Sequence, residues 1–136
     1  DAVQGEVEEY VPTQETYDRT FSEVEDTIGK LNEIIRNRDF DQWKSYLTDN
    51  YRRTMSSPEM LSELSEHRIL KRNSIVLESL EDYFTFVVVP SRANARLDDL
   101  VFRTDDQVQA IMIIQGQRVI LYQLQKVNDS WKIAIF

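Results

Sequence analysis

The chain has 136 residues, with 24 acidic and 16 basic side chains, one histidine and no cysteine. Such a length makes a single domain that buries about two-thirds of its unfolded surface without needing a disulfide or a metal. The charge balance excludes nucleic acid, which requires clustered Lys and Arg; the lack of cysteine excludes thiol chemistry, and no apolar run reaches the roughly 18 residues of a membrane span.

The net charge of −8 is unevenly placed. Residues 1–35 carry ten acids against Arg19 and Lys30, whereas residues 36–136 balance, so the whole excess lies at the N-terminal end. Arg36/Arg38, Arg52/Arg53 and Lys71/Arg72 are the local basic spots and read as solvated surface.

Residues 1–12 have no apolar periodicity and read as a flexible acidic arm. Two readings of it are open: a plain disordered terminus, or a spacer between the domain and a membrane tether upstream of Asp1. The spacer reading places the domain outside the cytoplasm. The first ten residues lack the basic and apolar regions of a signal peptide, so on this reading any such segment has been removed.

From Thr13, residues 13–136 read as one folded domain. Tyr17, Phe21, Val24, Ile28, Leu31 and Ile35 fall three or four apart and draw one apolar stripe along a helix. Asp39 is a helix N-cap, and Phe40, Trp43 and Leu47 mark one face of a short second helix. Ser57 and Pro58 open a third, with Leu61 and Leu64 inward and the helical signal ending near Lys71.

Beyond Lys71 the period becomes two. Strands are expected over 74–80, 83–89, 99–103, 107–115, 117–127 and 131–136, with turns at 104–107, Gly116 and Asn128-Asp129. The last turn sets a register: Lys126 opposite Trp131, Leu124 opposite Ile133, Tyr122 opposite Ile135. Paired residues share a face. Ile120, Tyr122, Leu124, Trp131, Ile133 and Ile135 are therefore expected on the core side, and Val119, Leu121, Ala134 and Phe136 on the other. These last four would form an apolar patch suited to a protein partner or to a homodimer through the sheet face.

Helices followed by an antiparallel meander make an α+β plan, three helices on a curved sheet. The seam Tyr17–Ile35, the Asp39-Phe40-Asp41-Gln42-Trp43 helix start and the closing "SWKIAIF" hairpin resemble the nuclear transport factor two-like superfamily. A cystatin-like domain shares part of that pattern. The resemblance implies a cone-shaped fold with a pocket between helices and sheet. It leaves activity open, since that superfamily holds isomerases, dehydratases, carriers and protein-binding modules.

No motif in the chain carries a reaction. His67 reads as a surface or helix-end residue, and Asp98/Asp99 and Asp105/Asp106 as turn-forming acids rather than a catalytic or metal-binding pair. With three glycines there is no phosphate loop, and neither a cofactor nor a metal is expected. Trp43, Tyr46, Tyr51, Phe102 and Tyr122 combine large apolar bodies with polar tips, Phe102 excepted, and are the candidate lining of a pocket for a small apolar ligand. The expected function is a non-catalytic binding or protein-interaction module, the soluble part of an exported or lipid-anchored protein. The alternative is a small-molecule carrier or an enzyme of the isomerase or dehydratase type.

Overall fold

The computed structural model describes residues 10–136, and the arm expected over 1–12 lies mostly outside them. Of its last residues, Tyr10 is partly buried, its ring centroid 5.8 Å from that of Phe102.

The long seam forms α1 (Gln14–Arg36), capped by the Thr13 hydroxyl, which accepts the Thr16 N–H. Val24, Leu31 and Ile35 are fully buried along it. The helix is tied down at both ends of its length. Asn32 exchanges two hydrogen bonds with the Ala95 backbone (2.8 and 3.1 Å), and the Tyr17 hydroxyl donates to Asp99. α2 (Phe40–Lys44) starts at Asp39, whose carboxylate accepts the Gln42 N–H, as expected. A further short helix, α3 (Asp49–Met55), is capped by Thr48. α4 (Pro58–Ser65) begins at Ser57 and Pro58, and α5 (Arg68–Arg72) follows.

The first two expected strands do not form. Residues 73–79 are a loop whose Leu77 plugs a small core with Leu61 and Leu70, its N–H held by the Ser65 hydroxyl. Residues 83–89 are helical: α6 (Leu80–Tyr83), a π-helical turn (Phe84–Val88) and α7 (Val89–Arg92) run on continuously. The β-branched "TFVVV" favours a strand locally, but burial at spacing four (Leu80, Phe84, Val88) against the helical layer overrides that preference. Pro90 cannot donate to a carbonyl four residues back and its ring crowds that carbonyl. The wider turn accommodates it, with the Val89 N–H reaching Phe84 O, five residues back.

The sheet is a four-stranded antiparallel meander: β1 (Asp99–Thr104), β2 (Gln107–Ile114), β3 (Gln117–Val127) and β4 (Ser130–Ile133). The protein is thus α+β, with one long helix, shorter helices and one antiparallel sheet. Two of the three hairpin turns, Gln115-Gly116 and Asn128-Asp129, have positive φ at their two central residues, the backbone hand that matches strand twist.

The closing hairpin has the expected register at two of its three pairs, Lys126 opposite Trp131 and Leu124 opposite Ile133; the third, Tyr122 with Ile135, does not form, because β4 ends at Ile133 rather than at residue 136. β4 is covered on its other side too. Its Ile133 N–H donates to Tyr46 O and its Ile133 carbonyl accepts the Thr48 N–H, a one-residue parallel bridge to Leu47. The alternation expected along β3 fails at one point. Ala110 pairs with Tyr122 but Ile111 pairs with Ile120, so Leu121 is an extra residue in a β-bulge. The bulge exchanges the faces of β3 at this point: Leu121 is buried and Ile120 exposed. Past the end of β4 the expected order fails as well, with Ala134 buried and Ile135 exposed. Of the expected outer patch only Val119 is open, with Phe136 intermediate, so those four residues do not form a surface.

A polar tie joins the closing hairpin to α1. The Glu23 carboxylate accepts from Trp131 Nε1 (3.0 Å) and Lys126 Nζ (3.3 Å). The Trp131 bond, with Lys126 behind it, holds this carboxyl below its ordinary range against the opposing effect of burial. A carboxyl depressed in the folded state stabilises above its unfolded pKa, near 4.3, and that contribution disappears as pH falls through the folded value. Glu23→Gln is therefore expected to cost about 0.5–1 kcal/mol at pH 7, the scale of a solvent-screened pair, and less at pH 3. Urea melts of both proteins at the two pH values measure this; an equal deficit at both would mean the loss is one of packing rather than charge.

Candidate functional site

The bulged stretch of β3 and the π-helical segment face each other across a cavity of about 220 Å³. Its walls are Tyr83, Val87, Val88, Ser91 and Arg92 from the helical side and Ile120 to Gln123 from β3, with Trp43, Tyr51, Ile133 and Ala134 completing it. Each wall follows from a local feature already described. The π turn sets the pitch at which Tyr83, Val87 and Ser91 follow one another, and the bulge brings both Leu121 and Tyr122 to the lining.

Two polar atoms at this cavity have no hydrogen-bond partner among the described residues: Trp43 Nε1 and the Tyr122 hydroxyl. Trp43 is 1% exposed and Tyr122 7%. Native proteins pair nearly all such buried groups, so an unpaired donor beside a cavity marks a place where a polar atom can be received. Burial raises the phenol of Tyr51, helped by the neighbouring Tyr83 hydroxyl, and burial also raises that of Tyr122, against the lowering influence of Arg92. Both phenols stay protonated at neutral pH and offer O–H groups rather than phenolates. The Arg92 guanidinium lies 6.0 Å from the Tyr122 ring centroid, with its Nε–H donating to Leu121 O (3.1 Å). The lining is thus aromatic, rich in donors and neutral except for one cation.

Of the five expected pocket residues the structure brings three together here: Trp43, Tyr51 and Tyr122. Tyr46 is elsewhere, on shallow clefts beside Lys30, and its carbonyl serves β4. Phe102 belongs to a separate aromatic cluster with Tyr10 and Tyr17. Sequence reasoning missed Tyr83, Ser91 and Arg92 because it placed 83–89 in a strand. The available signal was Ser79-Leu80-Glu81-Asp82, a reciprocal helix start in which the Ser79 hydroxyl accepts the Asp82 N–H and Asp82 accepts the Glu78 N–H.

The acids and the histidine are placed as follows. Asp105 and Asp106 sit exposed in the β1–β2 turn, and His67 is exposed at the start of α5. Asp98 and Asp99 are not turn residues, contrary to expectation. Asp99 starts β1 and accepts from Tyr17 and Arg118, while Asp98 is gripped by Arg96. Burial opposes ionisation of Asp99, but the Tyr17 and Arg118 bonds prevail and hold its carboxyl below the ordinary range. Among the described residues, no three His, Asp or Glu side chains come together as metal ligands, and no helix is long and apolar enough to cross a membrane.

The chain is similar to a protein of Treponema pallidum (strain Nichols) named "Uncharacterized lipoprotein", 38% identical over 121 residues. The match covers 89% of this chain but 64% of that protein, so the chain spans less than two-thirds of its relative's length. No family model matches the chain, and no solved structure does.

Proposed function

We propose that this chain is a small-molecule-binding domain of a lipoprotein held on the outer side of a membrane. The binding part of the reading is carried by the cavity at Trp43 and Tyr122, with its two buried, unpaired donors. The volume is below the roughly 300–1,000 Å³ of pockets that enclose drug-sized ligands, so the ligand is small. Trp43 Nε1 is a donor only and Arg92 a cation, which select a hydrogen-bond acceptor, a carbonyl or carboxylate, on an apolar body. The tethered location is supported by the lipoprotein relative. The order of a long helix, short helices and an antiparallel meander, with a cavity between helical segment and sheet, supports reading the domain as nuclear transport factor two-like.

Benzoate and 2-naphthoate serve as probes of the cavity, read through tryptophan fluorescence. Saturable quenching is expected, with affinity several-fold weaker in Tyr122→Phe, which removes one hydroxyl worth about 0.5–1.5 kcal/mol. Absence of saturable change with either probe, or equal affinity in Tyr122→Phe, would count against the site. The tether is tested separately, by labelling cells that express the full-length protein with an alkyne palmitate. Label on the protein and its digestion by protease added to intact cells are the expected results.

A further inference from the structure

The second feature of β2 and β3 is the ribbon they form beyond the cavity. Every residue from Ile113 to Ile120 is exposed, and Ile113, Ile114, Val119 and Ile120 are 39, 44, 38 and 49% exposed. The pairing register puts Met112, Ile114 and Val119 on one face and Ile113 and Ile120 on the other, so the ribbon is apolar on both sides. It is also nearly without charge. From Gln107 to Gln125 the single charged side chain is Arg118, and Asp99 neutralises it at 2.8 Å.

The two edges of the ribbon differ. Past the end of β1, the β2 edge is blocked by a side-chain clip. Asp98 accepts the Ile113 N–H at 2.7 Å, Arg96 donates to Ile113 O at 2.8 Å, and the two side chains hold each other through paired 2.9 Å bonds. A charged clip of this kind occupies backbone groups that another strand would otherwise use. The β3 edge is closed only in part. β4 pairs with Leu124 to Val127, Ala134 donates to Gln123 O, and Arg92 takes Leu121 O. From Gln117 to Ile120, no strand or side chain among the described residues meets that edge.

We propose that a second copy of this chain adds its own β3 antiparallel to this edge about a two-fold axis, joining the two ribbons into one sheet. An open edge supplies main-chain hydrogen bonds to any extended segment. A second copy fits better than a foreign peptide for two reasons. Two ribbons of the same chemistry give the aliphatic side chains on both faces matched cross-strand neighbours. The contact also brings together stretches whose single charge, Arg118, is paired with Asp99, in a chain whose excess negative charge lies wholly in residues 1–35, so net like charges are not opposed. A two-fold contact uses the same edge in both copies and so ends the assembly at two chains.

Sedimentation of the 136-residue chain tests this over about 1–500 µM, a range suited to a small interface. The weight-average mass is expected to rise from 16.1 kDa towards twice that, with amide exchange at 117–120 slowing as concentration rises. Val119→Lys should give a folded monomer with an unchanged melting temperature at low concentration, because Val119 is already exposed. Mixing it with Val119→Glu should restore the dimer, since the two side chains are near neighbours whichever residues lie on the axis. A wild type monomeric throughout overturns self-pairing and leaves the edge to an extended peptide. A dimer unaffected by Val119→Lys, or exchange at 117–120 independent of concentration, overturns the surface. Neither result bears on probe binding in the cavity, which is read at concentrations where the chain is monomeric.

Discussion

Leu31→Ala is expected to lower the unfolding free energy by about 2–5 kcal/mol. The side chain is fully buried in the C-terminal half of α1, a helix that packs against α2, α7, β1 and β4. Truncation there loses the transfer free energy of the removed carbons and leaves a cavity that a helix pinned by Asn32 and Tyr17 cannot close. Against a total stability of about 5–15 kcal/mol for a typical domain, this is a large fraction. Gly29, two residues earlier, is the control. It is exposed, with open space where a Cβ would sit, so Gly29→Ala should raise stability by up to about 1 kcal/mol through helix propensity alone. Urea melts of the two variants should move in opposite directions. A Leu31→Ala protein as stable as wild type would mean α1 is not packed on the sheet.

Phe84→Ala is expected to cost about 3–5 kcal/mol, and Phe86→Ala under about 1 kcal/mol, as for most exposed positions. Phe84 is 2% exposed, with ring centroids 4.9 Å from Trp43 and 5.7 Å from Phe40; Phe86 is 41% exposed. This pair separates the two readings of "YFTFVVV". In a strand, residues two apart share a face and would be buried or exposed together. In a helix they point roughly 200° apart. Equal costs at the two positions would return the segment to a strand and would remove the helical wall of the cavity with it.

The site was half legible in the sequence. Trp43, Tyr51 and Tyr122 stand out by residue type alone, because an amphipathic aromatic inside a short domain either fills core or lines a pocket. Tyr46 and Phe102 have the same chemistry and lie elsewhere. Only the path of the chain separates the two groups. Tyr83, Ser91 and Arg92 were hidden behind a local preference for strand, and the Leu121 bulge has no marker such as a glycine in its own stretch. The same bulge took Leu121 out of the patch expected with Val119, Ala134 and Phe136, because one extra residue exchanges the two faces of a strand; Ala134, past the end of β4, is buried as well.

What the sequence alone determined is whatever local chemistry decides. The seam at spacings of three and four makes α1; Thr13, Asp39 and Ser57 cap helices with their own side chains; Asn128-Asp129 sets the register of the closing hairpin. Each of these depends on residues within a turn or two of one another. What only the tertiary structure decided is whatever depends on a neighbour remote in the chain. Residues 80–92 are helical because Phe84 and Val88 find the helical layer. Leu77 sits in a loop because Leu61 and Leu70 receive it. The outer edge of the last strand is closed at Ile133 because Tyr46 and Thr48 bond it there. Propensity differences of about 1 kcal/mol per residue are smaller than the roughly 1.5–3 kcal/mol from burying one large apolar side chain, so where the two conflict, packing prevails.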